Sequence, residues 1–342
     1  MPYKAYRKRG TAILKLNSTE IQERWDRLFL RLKERIAHPT DEHLASRIWK
    51  ASDLRREISQ VRAENIDTLK STFPNAKEVL RRMEQMGWLL PLPIVFPSGS
   101  EGNQAAYLLD MEATREESPD VLELLQGYES RGVLCYAAVL AFHELTTQVP
   151  PIAHIAILQE FAQPAAVVSV SSREPKASES KGQPENKTVR DPLGSALFSY
   201  RGISCYLTRR DSALAPGIQT RIEGPRVRLR MTTLEQALLD AIFHPVRCGG
   251  EAMVLESWEN GMERWNSDRI ANYLGEINRE DYYRRVGAMC SMMDYEPEGQ
   301  LRDGLQAAKS RYQSTAHNEE PISLLRGLAY SHLIEEWGVT TS

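Results

Sequence analysis

From residue 18 onward apolar side chains recur at Ile21, Trp25, Leu28, Leu32 and Ile36, a spacing of three and four that predicts an amphipathic helix with Ser18 or Thr19 as its N-cap. A shorter helix is expected from Ser52, with Leu54 and Ile58 inward and Arg55 and Arg56 outward. In "TFPNAKEVLRRMEQMGWLLPLP" Asn75 and Glu78 form a capping box, Val79, Leu80, Met83 and Met86 an apolar stripe, and Gly87 a terminator. "WLLPLPIV", the turn-rich "FPSGSEGN" and "AAYLLD" predict two short strands joined by a hairpin tip. Helices followed by a basic-faced helix and a hairpin predict a winged helix-turn-helix within residues 1–112. The stretch from Gln60 to Thr72 exceeds the usual turn between the two motif helices, so an extra helical turn or an insertion is required.

Further on, Ser118 and Pro119 supply the N-cap and first position of a helix through "VLELLQGY", and "VLCYAAVLAFHEL", apolar nearly all round, predicts a central buried helix. Strands follow: "IAHIAIL", "AAVVSVS", "ALFSY", "ISCYLTRR" and "RVRLRM". Residues 171–193 have no apolar periodicity and are rich in Ser, Lys, Glu and Pro, which predicts a disordered loop inside the domain. "RVRLRM" alternates, so Val227, Leu229 and Met231 face a core while Arg226, Arg228 and Arg230 share the other face. Thr232 with Glu235, or Thr233 with Gln236, then caps the helix "LEQALLDAIF". Pro245 ends that helix, and Gly249 and Gly250 turn the chain into "EAMVLESWE". The fold class is α+β: a winged helix-turn-helix in 1–112, a mixed α/β domain in 113–295, and a helical carboxy-terminal extension in 296–342.

Charge sharpens this division. Residues 1–90 carry 19 Lys and Arg against 12 Asp and Glu, leaving the remainder of a chain of net charge -3 strongly acidic. A basic front on an acidic body points to a polyanion partner at the front, with salt-sensitive phosphate contacts. Hydrophobic residues at 42% and charged residues at 26% exclude a disordered chain. The four cysteines form no CxxC pair, which excludes a zinc ribbon and a secreted disulfide framework. No apolar run reaches membrane-spanning length and no signal peptide is evident, so a cytoplasmic protein without a membrane partner is expected.

The most reactive-looking stretch is "MTTLEQALLDAIFHPVRCGG", with Asp240, His244 and Cys248 four residues apart. Such spacing stacks side chains at one helix end, whereas thiol hydrolases gather nucleophile, base and orienter from distant segments to converge on one point. Each residue here has a structural task, so the stretch is expected to be architecture. HExxH, GxSxG, GxxxxGK[ST] and GxGxxG are absent, "GSALFSY" lacks the Asp-x-Asp of nucleotidyltransferases, and the histidines do not cluster. No catalytic residue, metal ligand or cofactor is assigned.

The segment "MTTLEQALLDAIFHPVRCGGEA", preceded by "RGVLCYAAVLAFHELTTQVPPIAHIAI" and followed by "YYRRVGAMCSMM", resembles the carboxy-terminal domain of the AbiEi family, antitoxins and transcriptional regulators of abortive-infection (type IV) toxin-antitoxin systems. The resemblance covers roughly residues 70–295; the long first helix, the loop at 171–193 and the extension beyond about 296 depart from it. It implies a winged helix that binds the promoter of its own operon, a carboxy-terminal domain needed to neutralise a nucleotidyltransferase-like toxin, and no catalysis by the antitoxin itself. Candidates for DNA contact are Asn75, Lys77, Arg81 and Arg82 on the third helix with Arg55 and Arg56 before it. Arg226, Arg228 and Arg230, with Arg209, Arg210 and Arg221 close in sequence, are candidates for partner or nucleic-acid contact. Two rivals remain: a non-catalytic protein-binding component of a phage-defence complex, and an enzyme acting on nucleic acid.

Overall fold

A computed structural model describes residues 18–38, 40, 42–64, 75–97, 105–110, 118–160, 193–315 and 320–341 of the chain. Helix α1 (Ser18–Ile36) buries Trp25, Leu28, Leu32 and Ile36 as their spacing predicts, and Phe29 with them. Ser18 and Thr19 both lie within its first turn rather than ahead of it. Strand β1 (Ile48–Lys50) leads directly into α2 (Ala51–Glu64), which buries Leu54, Ile58 and Val61. Helix α3 (Ala76–Gln85) starts at the N-cap Asn75, buries Val79, Leu80 and Met83, and ends before Gly87, whose φ of +73° needs glycine. Met86, expected in the apolar stripe, lies past the helix end and is exposed.

Strands β2 (Leu89–Pro91) and β3 (Ala106–Leu109) pair antiparallel, and β1 adds to β3, giving the order β1-β3-β2. The expected hairpin tip lies largely outside the described residues. Alternation along this sheet serves two cores. Trp49, Leu89 and Leu109 pack with α1, α2 and α3, whereas Ile48, Ala106 and Leu108 join the larger core that follows. Two backbone bridges, Ala45 with Val227 and Val95 with Ser199, tie the segments flanking this sheet to the main sheet.

The main sheet has the order β6-β7-β5-β4-β9-β8, built from β4 (Val133–Cys135), β5 (Ile152–Gln159), β6 (Ser195–Tyr200), β7 (Ile203–Asp211), β8 (Ile218–Gly224) and β9 (Val227–Thr232). β5 runs parallel to β7 and β4 to β9; the other pairs are antiparallel. Helix α4 (Val121–Tyr128) is capped by Asp120, which accepts from the backbone N–H of Leu122 and Glu123, in place of the expected Ser118. "VLCYAAVLAFHEL" is not one helix. It holds the central strand β4, then Tyr136 at φ 64° and ψ -142°, then the short helix α5 (Ala137–Phe142). The central strand is buried throughout and so are the first four residues of the helix behind it, so the run is apolar from end to end and its period is erased. The expected strand "AAVVSVS" and the loop at 171–192 lie outside the described residues.

Helix α6 (Leu234–Phe243) is capped by Thr233 and followed by a turn of 3-10 helix, with Gly249 at φ +87° and Gly250 at +94° leading into α7 (Glu251–Met262). After α8 (Ser267–Ile277), α9 (Glu280–Met292) and α10 (Gly299–Thr315) the ending departs from the helical extension expected. Strands β10 (Ile322–Ser323), β11 (His332–Ile334) and β12 (Val339–Thr341) form a small sheet, each too short to give a periodic signal. Trp337 lies against Gly287, where an added Cβ would come within 2.4 Å of its ring, and Arg284 donates to the carbonyls of Trp337 and Gly338 at 2.9 and 2.8 Å. The chain is a mixed α+β protein, and no described helix is long and apolar enough to cross a membrane.

Candidate functional site

Burial of Val79, Leu80 and Met83 leaves Lys77 and Arg81 on the outward side of α3. Asn75 spends its Oδ1 on the backbone N–H of Glu78 at 3.0 Å, so it is first a cap. Glu78 does not reach back to complete the box. Its carboxylate takes Arg81 at 2.6 and 3.1 Å, and that hydrogen-bonded guanidinium holds the Glu78 pKa below its usual range. Arg82 turns the other way: its guanidinium lies 4.2 Å from the Trp25 ring centre and donates to Gln22 at 3.3 Å, binding α3 to α1. Arg55 is half-buried near Tyr107, whose hydroxyl is pushed up to about 12 by burial and by Glu84. Arg56 is 67% exposed and pairs with Asp53 at 3.3 Å. Lys77, Arg81 and Arg56 are thus the accessible cations of this set, and Arg82 is turned onto α1.

The β9 arginines also divide. Arg226 precedes the strand and, half-buried, donates to the Leu109 carbonyl at 3.0 Å, joining the two sheets. Arg228 and Arg230 are partly buried and stand opposite Ile222 and Thr220 of β8, on the face away from Leu229 and Met231. Arg210 is buried at 6% exposure and forms a two-pronged ion pair with Asp240, so it belongs to no surface. Arg221 is exposed but falls opposite Leu229, on the other face of β8 from Thr220.

Asp240 and Cys248 are buried in the interior, and His244 is half-buried at its margin. Asp240 also accepts from Gln236 at 2.8 Å, and Gln236 in turn accepts from the Gly217 backbone N–H at 3.1 Å. Burial would lower the Arg210 pKa, but the Asp240 charge more than reverses this and keeps the guanidinium charged. Burial, with the Arg210 and Arg247 charges, pushes His244 down to about 3; burial and Arg247 push His154 down to about 4. Burial pushes the Cys248 thiol well up, and all four cysteines are buried. A buried, protonated thiol beside a half-buried, neutral imidazole is packing. The Tyr136 hydroxyl accepts from Arg247 at 3.2 Å, and its ring is edge-on to His154 and His244. Among the described residues no grouping of His, Cys, Asp or Glu could hold a metal ion.

Sequence reasoning missed Gln126, which is fully buried on α4. Its Oε1 accepts from the Arg230 backbone N–H at 2.9 Å, and its Nε2 donates to the carbonyls of Ser130 and Gly132 at 3.2 and 3.3 Å. These are main-chain partners supplied by tertiary packing, and no local pattern announces them.

No family model matches the chain, and no curated protein matches it. The crystal structure of the RV2827C protein from Mycobacterium tuberculosis is similar over 92% of this chain and 90% of that one, at 13% identity and a TM-score of 0.45. At that level the likeness carries nothing over to this chain.

Proposed function

We propose that the chain is a cytoplasmic DNA-binding antitoxin that represses its own operon and counteracts a nucleotidyltransferase-like toxin. The observation that supports this most is the element order α1-β1-α2-α3-β2-β3 with sheet order β1-β3-β2, an order that fits the winged helix-turn-helix reading. In that reading α3 enters the major groove with Lys77 and Arg81 outward, Arg56 approaches a phosphate from α2, and the β2–β3 hairpin is the wing. Asn75 contributes by fixing the start of α3. Arg82 holds that helix on Trp25 and is removed from the contact set. The antitoxin part rests on the resemblance of residues 231–252 and their flanking segments to the AbiEi family.

A second reading, a protein-binding component of a phage-defence complex, is favoured by the local neutralisation of this face. Arg81 is paired with Glu78 and Arg56 with Asp53, which lowers the net attraction to phosphate. Replacing Lys77 and Arg81 together with Ala separates the two. The DNA reading expects weaker promoter binding, a salt slope reduced by about two phosphate contacts, and an unchanged melting temperature. Unaltered promoter binding by this variant removes α3 from the interface.

A further inference from the structure

The predicted stripe of three arginines on β9 does not exist as a stripe, because Arg226 is tied to Leu109. What remains is concave. A cleft of about 660 Å³ opens at the β8 edge of the main sheet, lined by Leu44, Ser130, Arg131, Ile218, Thr220 and Arg230. We propose that this cleft binds a phosphorylated small molecule of nucleotide size, its phosphate held between Arg230 and Arg131.

Four observations point there. Arg230 is partly buried, and among the described residues its guanidinium has no hydrogen-bond or ion-pair partner; the same holds for Arg228 beside it. A guanidinium whose donors are unspent on its described neighbours can give charge-assisted hydrogen bonds to an incoming anion. Second, Arg131 lines the same cleft from the turn before β4 and is exposed; its charge acts on Glu129, which Lys50 also faces, so the acid nearest it in sequence is shared with a second cation. Third, the two walls are held in register by Gln126, which bonds the backbone of Arg230 on one side and of Ser130 and Gly132 on the other. A buried side chain that fixes both walls gives the cleft a preset shape. Fourth, Leu44 and Ile218 provide apolar surface beside the cations, and Ser130 and Thr220 add hydroxyls. The volume suits a small ligand. A nucleic-acid backbone would need a continuous basic track, which the removal of Arg226 and the placement of Arg221 on the other face deny.

The test is calorimetric titration of the full chain with ATP, with inorganic phosphate as competitor and with duplex DNA in parallel, for the parent and for Arg230→Gln, Arg131→Gln and the distant control Arg209→Gln. The expected result is saturable one-to-one ATP binding that inorganic phosphate displaces. Arg230→Gln and Arg131→Gln each weaken it by about tenfold, roughly the loss of one charge-assisted contact, while Arg209→Gln leaves it unchanged. Arg131 is exposed, so its variant keeps the test valid if Arg230→Gln fails to fold. The proposal is overturned if ATP does not bind at millimolar concentration, or if Arg209→Gln weakens it equally. It is also overturned if phosphate fails to compete, or if the cleft variants weaken duplex DNA and leave ATP untouched. Promoter binding through α3 is expected to survive both cleft variants, so the two proposals fail separately.

Discussion

Replacing Asp240 with Asn removes the charge that compensates Arg210 in the interior. The two side chains are 6% and 2% exposed, and the guanidinium has no route to water without opening the junction of β7 and α6. Breaking one side of a buried ion pair costs about 3–5 kcal/mol, most of it the penalty of an uncompensated buried charge. At about 2–3 °C per kcal/mol for a body of this size, thermal unfolding followed by circular dichroism at pH 7 should move down by about 6–15 °C. The double variant Arg210→Met with Asp240→Leu removes both charges at similar volume and should recover most of that loss. A drop of under about 2 °C in the single variant, or a double variant no better than the single, would refute the reasoning, because the pair would then not be a desolvated one.

Three further outcomes follow from the same interior. His154 and His244 are held neutral, with pKa values of about 4 and about 3, while the unfolded chain titrates near the ordinary 6.5. The unfolded state therefore takes up more protons, and stability falls as pH drops below about 6.5, by about 1.4 kcal/mol per pH unit for each histidine; urea unfolding of His244→Gln between pH 7 and 5 should show the slope reduced by one histidine's share, and an unchanged slope would contradict this. The four buried thiols should react with Ellman's reagent only at the rate of unfolding, and Cys248→Ser should leave function intact; rapid labelling of the native protein would revive a reactive cysteine. Gly287→Ala places a Cβ into the Trp337 ring and should cost about 1–3 kcal/mol and loosen the last strands, seen as faster proteolysis near the carboxy terminus; wild-type resistance would show that the ring moves aside freely.

What the sequence disclosed was local. The spacing from Trp25 to Ile36, the cap at Asn75, the stop at Gly87, the alternation around Leu229 and the Thr233, Pro245 and Gly249 punctuation each act within a few residues, and each is where it was expected. The strand-turn-helix at Val133–Phe142 is hidden because Val133–Leu140 are all buried and the break falls at Tyr136, a residue type that carries no turn signal. β8 was overlooked for the opposite reason: it is an edge strand exposed over Thr220–Glu223, with little apolar signal. Among the candidate site residues, type and alternation identified the cations but not their partners. Trp25 claims Arg82 from 57 positions away in the chain, and the Leu109 carbonyl claims Arg226 from across the two sheets. Tertiary packing decided which arginines were left to bind anything.

The DNA reading is tested most directly by titrating the full chain onto the DNA upstream of its own coding sequence, with excess unrelated duplex present, at 50 and 200 mM salt, values chosen because phosphate contacts lose orders of magnitude in affinity over about that range. A regulator working through α3 gives a complex that survives the competitor at the lower salt and weakens steeply at the higher, and Lys77→Ala with Arg81→Ala abolishes that preference. Binding that the competitor removes at both salt concentrations, or none at all, contradicts it and leaves the protein-binding reading in its place.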